Sequence, residues 1–218
     1  MINSDTIQAS IWTEVGPVKL PLRLYDDSVV EFSSCYYETS QGIYVVLAIG
    51  EPQKEPPPLV RVQSVCSYAH LFGSQLCDCE WQLEESKRRV ADSKCGLILF
   101  AVEQHGKGVG LKNHFLIYSE GQKRGLELVV DAYRALGFKE DYREYGGAGA
   151  ILKSRGVRKV RLLTNSPRKV EVMEALGFEV ERVELEMPLN IYNRMELTVK
   201  REKLGHLLSL NVSDSKRS

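Results

Sequence analysis

Four of the eight residues over 51–58 are proline. Proline lacks the backbone donor that helix and sheet interiors require, so no regular element passes through this segment, and the chain is divided into two regions of different periodicity. Before it, apolar and polar side chains alternate with period two in Val18-Lys19-Leu20-Pro21-Leu22-Arg23-Leu24 and Ser28-Val29-Val30-Glu31-Phe32, and Ile43-Tyr44-Val45-Val46-Leu47-Ala48-Ile49 is an apolar run. These features predict antiparallel strands within 1–50. After it, short apolar runs alternate with helical patterns. Strands are expected over 59–65, 96–102, 159–163 and 179–184, and helices over about 79–90, 111–118, 123–136, 148–154, 168–176 and 193–208. Such alternation predicts an α/β fold, a mixed β-sheet covered by helices with an antiparallel β-rich part at its N-terminus. A single domain over 1–208 is expected, β-rich over 1–50 and αβ over 59–208, followed by a polar tail over 209–218.

Lys plus Arg and Asp plus Glu both number 29, so no global field draws the molecule onto nucleic acid or anionic lipid, and a polyanion site has to be local. The longest apolar runs, 43–49 and 96–102, fall far short of the roughly 20 residues needed to span a bilayer. The first ten residues lack the basic stretch and apolar core of a secretory signal, so a cytoplasmic protein is expected. Five cysteines in a chain of 218 residues, large enough to build a core without staples, favour free thiols or metal ligands over a disulfide framework.

Cys66, Cys77 and Cys79 form a C-x10-C-x-C pattern. Three soft thiolates suit zinc, and three protein ligands leave a fourth position for water, as in catalytic rather than structural zinc. Asp78 is placed to cap the following helix, which would set Cys77 and Cys79 beside amide donors that favour thiolate. Buried cysteines without a metal fit the spacing equally well. Cys35 and Cys95 lack such partners and read as core or surface thiols.

Thr164-Asn165-Ser166-Pro167-Arg168-Lys169 ends a strand and starts a helix, with Ser166 as cap and Pro167 in the first helical position. Orphan amides with Arg168 and Lys169 make an anion site. Over 153–170 there are seven basic residues and no acidic one, which suits a polyphosphate or simply a solvated face. Gly106-Lys107-Gly108-Val109-Gly110 offers backbone donors to a phosphate, or is a flexible turn. Asp141 and Arg143, two apart in an extended stretch, project to one side, as surface ion pairs also do. His70 and His105 read as surface or hydrogen-bonded histidines, and His206 as structural within the terminal helix.

These motifs together resemble the GTP cyclohydrolase II family, zinc enzymes that open the imidazole ring of GTP with release of pyrophosphate and formate at the start of riboflavin synthesis. The resemblance runs over about 17–208. It rests on Arg61-Val62-x-Ser64-x-Cys66, on Ser74 and Cys77-Asp78-Cys79 with Gln82-Leu83-Glu84, and on Gln104-x-Gly106 to Gly110-Leu111. Further pieces are Leu136-Gly137-Phe138 with Asp141-x-Arg143, Arg161-Leu162-Leu163-Thr164-Asn165-x-Pro167-x-Lys169, and Lys203-Leu204-Gly205-His206-Leu207-Leu208. The resemblance implies Cys66, Cys77 and Cys79 as zinc ligands, Asp141 as general base, Arg143 as nucleophile towards the α-phosphate, and Tyr118 near the ring-opening site. It implies nucleotide contacts at Arg61, Ser64, Gln82, Thr164 and Lys169, Mg2+ accompanying the triphosphate, and a homodimer. An arginine nucleophile is chemically demanding because its pKa stays above about 12, and electrostatic stabilisation is the physical alternative for Arg143.

The chain departs from the family pattern around the nucleotide. Where the family reads Arg-Gln-Glu-Gly-Arg, this chain has Glu103-Gln104-His105-Gly106-Lys107, so His105 and Lys107 replace a contacting Glu and Arg. Tyr68-Ala69-His70 replaces Thr-Gly-Asp, Val65 replaces a contacting acid, and Val129 stands at a threonine position. The chemistry therefore transfers better than the substrate. The alternatives are a divergent enzyme acting on another nucleotide or stopping at a partial reaction, and a non-catalytic zinc or nucleotide-binding domain.

Overall fold

The β-branched and aromatic alternation of the N-terminal region produces three antiparallel strands, β1 (Ile11–Arg23), β2 (Val29–Thr39) and β3 (Gly42–Ile49). The computed structural model describes residues 8–54, 56–125, 129–139 and 141–209, without the side chains of 129 and 130. The expected polar tail beyond Ser209 and most of the first ten residues lie outside them. β4 (Leu59–Ser64), β5 (Gly96–Ala101), β6 (Lys159–Leu163) and β7 (Glu179–Val183) complete one sheet of order β1-β2-β3-β5-β4-β6-β7. β1, β2, β3 and β5 pair antiparallel, and β5, β4, β6 and β7 pair parallel. The expected mixed sheet, antiparallel towards the N-terminus, is thus what the chain forms.

Helices cover both faces of the parallel half. α2 (Cys79–Ser93) lies on one, where Val90 and Trp81 pack with Leu59, Ile98 and Leu163. α5 (Gly146–Ser154) and α6 (Pro167–Ala175) lie on the other, where Ile151, Leu152, Val172 and Met173 pack on Val60, Val62, Leu97, Leu99 and Leu162. The small residues that open α5 let it sit close to the sheet. A Cβ at Gly147 would meet Thr39 Oγ1 and the Tyr44 ring at 2.6 Å. α3 (Leu111–Lys123) and α4 (Val129–Ala135) form a separate layer around Ile117, Ala132 and Tyr133, and α7 (Arg194–Leu204) closes the chain. Among the described residues no helix is long and apolar enough to cross a membrane.

Four sequence expectations need correction. A short helix, α1 (Ser67–Phe72), lies between Cys66 and Cys77, ended by Gly73 in the left-handed conformation. The helix expected over 123–136 is not continuous from its start, because α3 ends at Lys123 and Gly125 follows at φ 60°. The terminal helix stops at Leu204, since Gly205 takes φ 64° and the following His206 amide donates back to the Lys200 carbonyl at 2.9 Å. His206 therefore lies beyond the helix rather than in it. Asp78 and Ser166 occupy N-cap positions, but neither side chain makes a capping bond.

Candidate active site

The site begins where β4 and β6 part. They pair only at Leu59↔Arg161 and Val60↔Leu162, and beyond that point their facing carbonyls have no ladder partner. Two buried cations fill the gap. Arg61 Nη1 donates to the Leu163 carbonyl at 2.9 Å, and Lys169 Nζ donates to the Val62 carbonyl at 2.7 Å. The connections from β4 and β6 run to opposite sides, β4 through α2 to β5 and β6 through α6 to β7, so the crevice is a topological switch point at the carboxyl ends of parallel strands.

A cleft of about 700 Å³ opens there. Arg61, Ser64, Cys66, Cys77, Cys79, Gln82, Lys107, Tyr118, Asp141, Arg143, Thr164 and Lys169 all line it, and these residues come from separate stretches of the sequence. His105 does not line it, because its Nδ1 lies 3.2 Å from Ser67 Oγ. Eight basic side chains line the cleft against two acidic ones, on a chain with no net charge, so the expected local excess of positive charge is concentrated here.

The three sulfurs lie within 4.8 Å of one another, with Cys66 and Cys77 Sγ 3.8 Å apart. Cys66 comes off the end of β4 and Cys79 is the first residue of α2. The Cys77 thiol is pushed up by hydrogen bonds to Cys66 and Cys79 and by burial. Cys66 rises to about 12, because the Cys79 bond and burial outweigh the lowering bond from Cys77. Cys79 is lowered, first by its bond to Cys66 and then by that to Cys77. Without a cation, three sulfurs so close resist ionising together. A soft divalent cation is what lets all three ionise, so the donor set fits Zn2+. The Asp78 carboxylate, expected as a cap, accepts instead from Gln82 Nε2 at 2.6 Å and pairs with Lys200 Nζ.

Asp141 grips Arg143 through two parallel bonds, Nε to Oδ1 at 3.0 Å and Nη2 to Oδ2 at 2.7 Å, and its Oδ1 also accepts from the Arg143 amide at 2.9 Å. Arg168 Nη1 adds a contact of 3.4 Å. Burial alone would raise the Asp141 carboxyl, but these bonds and charges win and hold it below its ordinary value. The Arg143 guanidinium is held as a cation, burial being outweighed by Tyr145 and Asp141. Lys107 stands over the Tyr133 ring at 5.3 Å, and burial, then Arg143, lowers it to about 8. Lys107 sits at φ 57° after Gly106 at φ 53°, where a Cβ on Gly106 would meet His114 at 2.7 Å. Tyr118 packs edge-on against His114 at 5.2 Å, and burial, then Glu196, keeps its phenol protonated.

Several cleft residues escape sequence reasoning. Glu196 and Lys200 are an i,i+4 pair that reads as an exposed helical ion pair, yet both are largely buried. Tyr133 and Gln63 carry no sequence signal. His114 lies four residues before Tyr118, and that shared helix face was the signal for it. His206 also lines the cleft.

A family model described as GTP cyclohydrolase II matches residues 18–184. The Riboflavin biosynthesis protein RibBA of Aquifex aeolicus (strain VF5) is 40% identical over 164 residues, which cover 75% of this chain and 40% of that protein. RibBA of Bacillus subtilis (strain 168) is 41% identical over 167 residues, covering 76% of this chain and 41% of its own length. GTP cyclohydrolase-2 of Shewanella sp. (strain W3-18-1) is 40% identical over 167 residues, covering 76% of this chain and 81% of that protein. The chain thus spans less than half the length of these RibBA relatives.

Proposed function

The chain belongs to the GTP cyclohydrolase II family, and from that premise we propose that it opens the imidazole ring of GTP with release of pyrophosphate and formate, as a step of riboflavin synthesis. The observation that carries this reading is the cysteine triad at one wall of a strongly basic cleft. Cys66, Cys77 and Cys79 would hold Zn2+. Bound there, the ion supplies Lewis-acid activation of water for hydrolysis.

The protein's own residues bind and orient the nucleotide. Arg143, Lys169, Lys107 and the start of α6 surround the phosphates with charge and amide donors that need no reorganisation. Arg143, held cationic by Asp141, stabilises charge on the α-phosphate electrostatically, and Asp141 fixes its fork. Thr164 and Ser64 offer hydroxyls to the same cleft, and Gln82, already bonded to Arg61 Nη2 at 2.5 Å, steadies that guanidinium. The Tyr118 phenol, kept protonated, donates a hydrogen bond near the ring.

A specific observation favours a second reading, a divergent enzyme with another substrate or an incomplete reaction. Val65 lines the cleft where the family carries an acid, and His105 turns to Ser67. Incubation with GTP, ATP, UTP and CTP, with pyrophosphate and formate measured separately, tests both readings. GTP turnover to both products is expected. Another preferred nucleotide, or pyrophosphate without formate, would establish the second reading. Elemental analysis of purified protein is expected to find one zinc per chain, lost in Cys66→Ser. Add-back of Zn2+ or Mg2+ after chelation separates a triad metal from one that travels with the triphosphate, and light scattering tests the expected homodimer.

A further inference from the structure

One carboxylate of the cleft has no part in the reading above. Glu196 stands on α7 with Oε1 paired to Lys200 Nζ at 3.0 Å. Its Oε2 is buried and has no hydrogen-bond partner among the described residues. A buried acceptor left open costs stability, and this one lines the same cleft as the cysteine triad. The groups that face it are Cys77, Asp78 and Cys79 around the start of α2, Lys107 in the glycine turn, Tyr118 on α3, Tyr133 on α4 and Lys200 on its own helix.

Hydrolysis at a purine carbon needs a proton acceptor, and the cleft holds few. Asp141 has both oxygens engaged by Arg143 and is held well ionised. Burial lowers His114, and burial together with Lys200, Arg143 and other cations lowers His206 to about 3. Burial pushes Glu196 up to about 7 against the pull of Lys200, in the range where a base exchanges protons readily.

Resting on the cyclohydrolase reading, we infer that Glu196 is the proton acceptor for the water that opens the purine ring. The water oxygen bonds to C8 as one proton passes to Oε2, while the C8=N7 π pair moves to N7, which then takes that proton. The hydroxyl so formed on C8 loses its proton as the C8–N9 bond breaks, and N9 keeps the electron pair and receives the proton. Both protons of one water end on the two nitrogens, a formamide remains on N7, and nothing is oxidised or reduced. A second water cleaves the formamide to formate.

The test is Glu196→Gln and Glu196→Asp in the full chain purified with its metal. Zinc content, thermal midpoint, binding of a non-hydrolysable GTP analogue, and pyrophosphate and formate release across pH are all measured. Glu196→Gln is expected to keep zinc, analogue affinity and pyrophosphate release, to lose formate release by about 100-fold or more, and to lose the rise in formate rate through pH about 7. Glu196→Asp should recover part of the rate with a displaced profile. An undiminished formate rate in Glu196→Gln overturns the inference and leaves the family reading intact. Loss of zinc from Glu196→Gln overturns it by making Glu196 a ligand, and a wild-type protein that releases neither product overturns both readings. Should the glutamine variant not fold, an aspartate variant with wild-type rate and profile overturns it.

Discussion

Arg61 and Lys169 are buried cations with no carboxylate partner within salt-bridge distance among the described residues, and carbonyls freed by the parting of β4 and β6 take their place. Burial lowers the pKa of both, Arg61 to about 10, so each gains from an arriving anion. Lys169→Ala is expected to weaken GTP binding by about 1.5–3 kcal/mol, read by calorimetry, because one charge-assisted bond is lost. The two ends of the nucleotide should separate by mutation. Arg143→Ala should abolish pyrophosphate release, and Cys77→Ser should abolish formate release while sparing pyrophosphate. His206 gives a stability test. Its folded pKa of about 3 lies below the unfolded value of about 6.5, so the unfolded chain binds a proton in this window that the folded chain does not. His206 therefore lowers stability as pH falls from about 6.5 towards 3, and His206→Gln should flatten the fall in urea midpoint over that range. The acid–base character of these residues was not legible in sequence, because it depends on partners far along the chain, as Val62 is 107 positions from Lys169.

At the scale of elements, the site depends on a turn and a helix. Gly106 and Lys107 both lie at positive φ, which aims the Lys107 side chain at Tyr133 and the cleft. Gly106→Ala adds a Cβ at 2.7 Å from His114 and strains the backbone, and should cost about 2–4 kcal/mol by urea denaturation, with weaker nucleotide binding. A smaller loss would mean that His114 moves aside. Most strands and helices were legible because their periodicity is local. β6 was expected at its observed limits, and α6 started one residue before its expected position, at the first-turn proline. Two of the errors share one cause: a glycine whose sign of φ cannot be read from composition followed α3 and ended α7. That last stop matters for function, since it releases His206 from the helix and turns it to the cleft.

Across the whole molecule, a neutral chain keeps a basic cleft by placing its acids elsewhere, many in exposed helical and strand pairs such as Arg88–Asp92 and Lys159–Glu179. Such pairs contribute little to stability. Raising salt from about 0.05 to 0.5 M should therefore weaken nucleotide binding on the order of tenfold while barely moving the thermal midpoint, as screening shortens the reach of the cleft's field. Equal affinity at both salt concentrations would show that the excess charge is neutralised within the protein. The sequence by itself determined the division at the proline-rich segment, the strand and helix order, the three cysteines as a possible donor set and the resemblance to a family, because each is written in neighbouring or regularly spaced residues. Only the tertiary structure decided which side chains meet. The crevice exists because β4 and β6 pair at two positions and then diverge, His105 is drawn to Ser67 instead of the cleft, and α7 brings Glu196 to the cleft that the cysteines line. These are contacts between segments far apart in the chain, fixed by how the layers pack and left unmarked in any local pattern of residues.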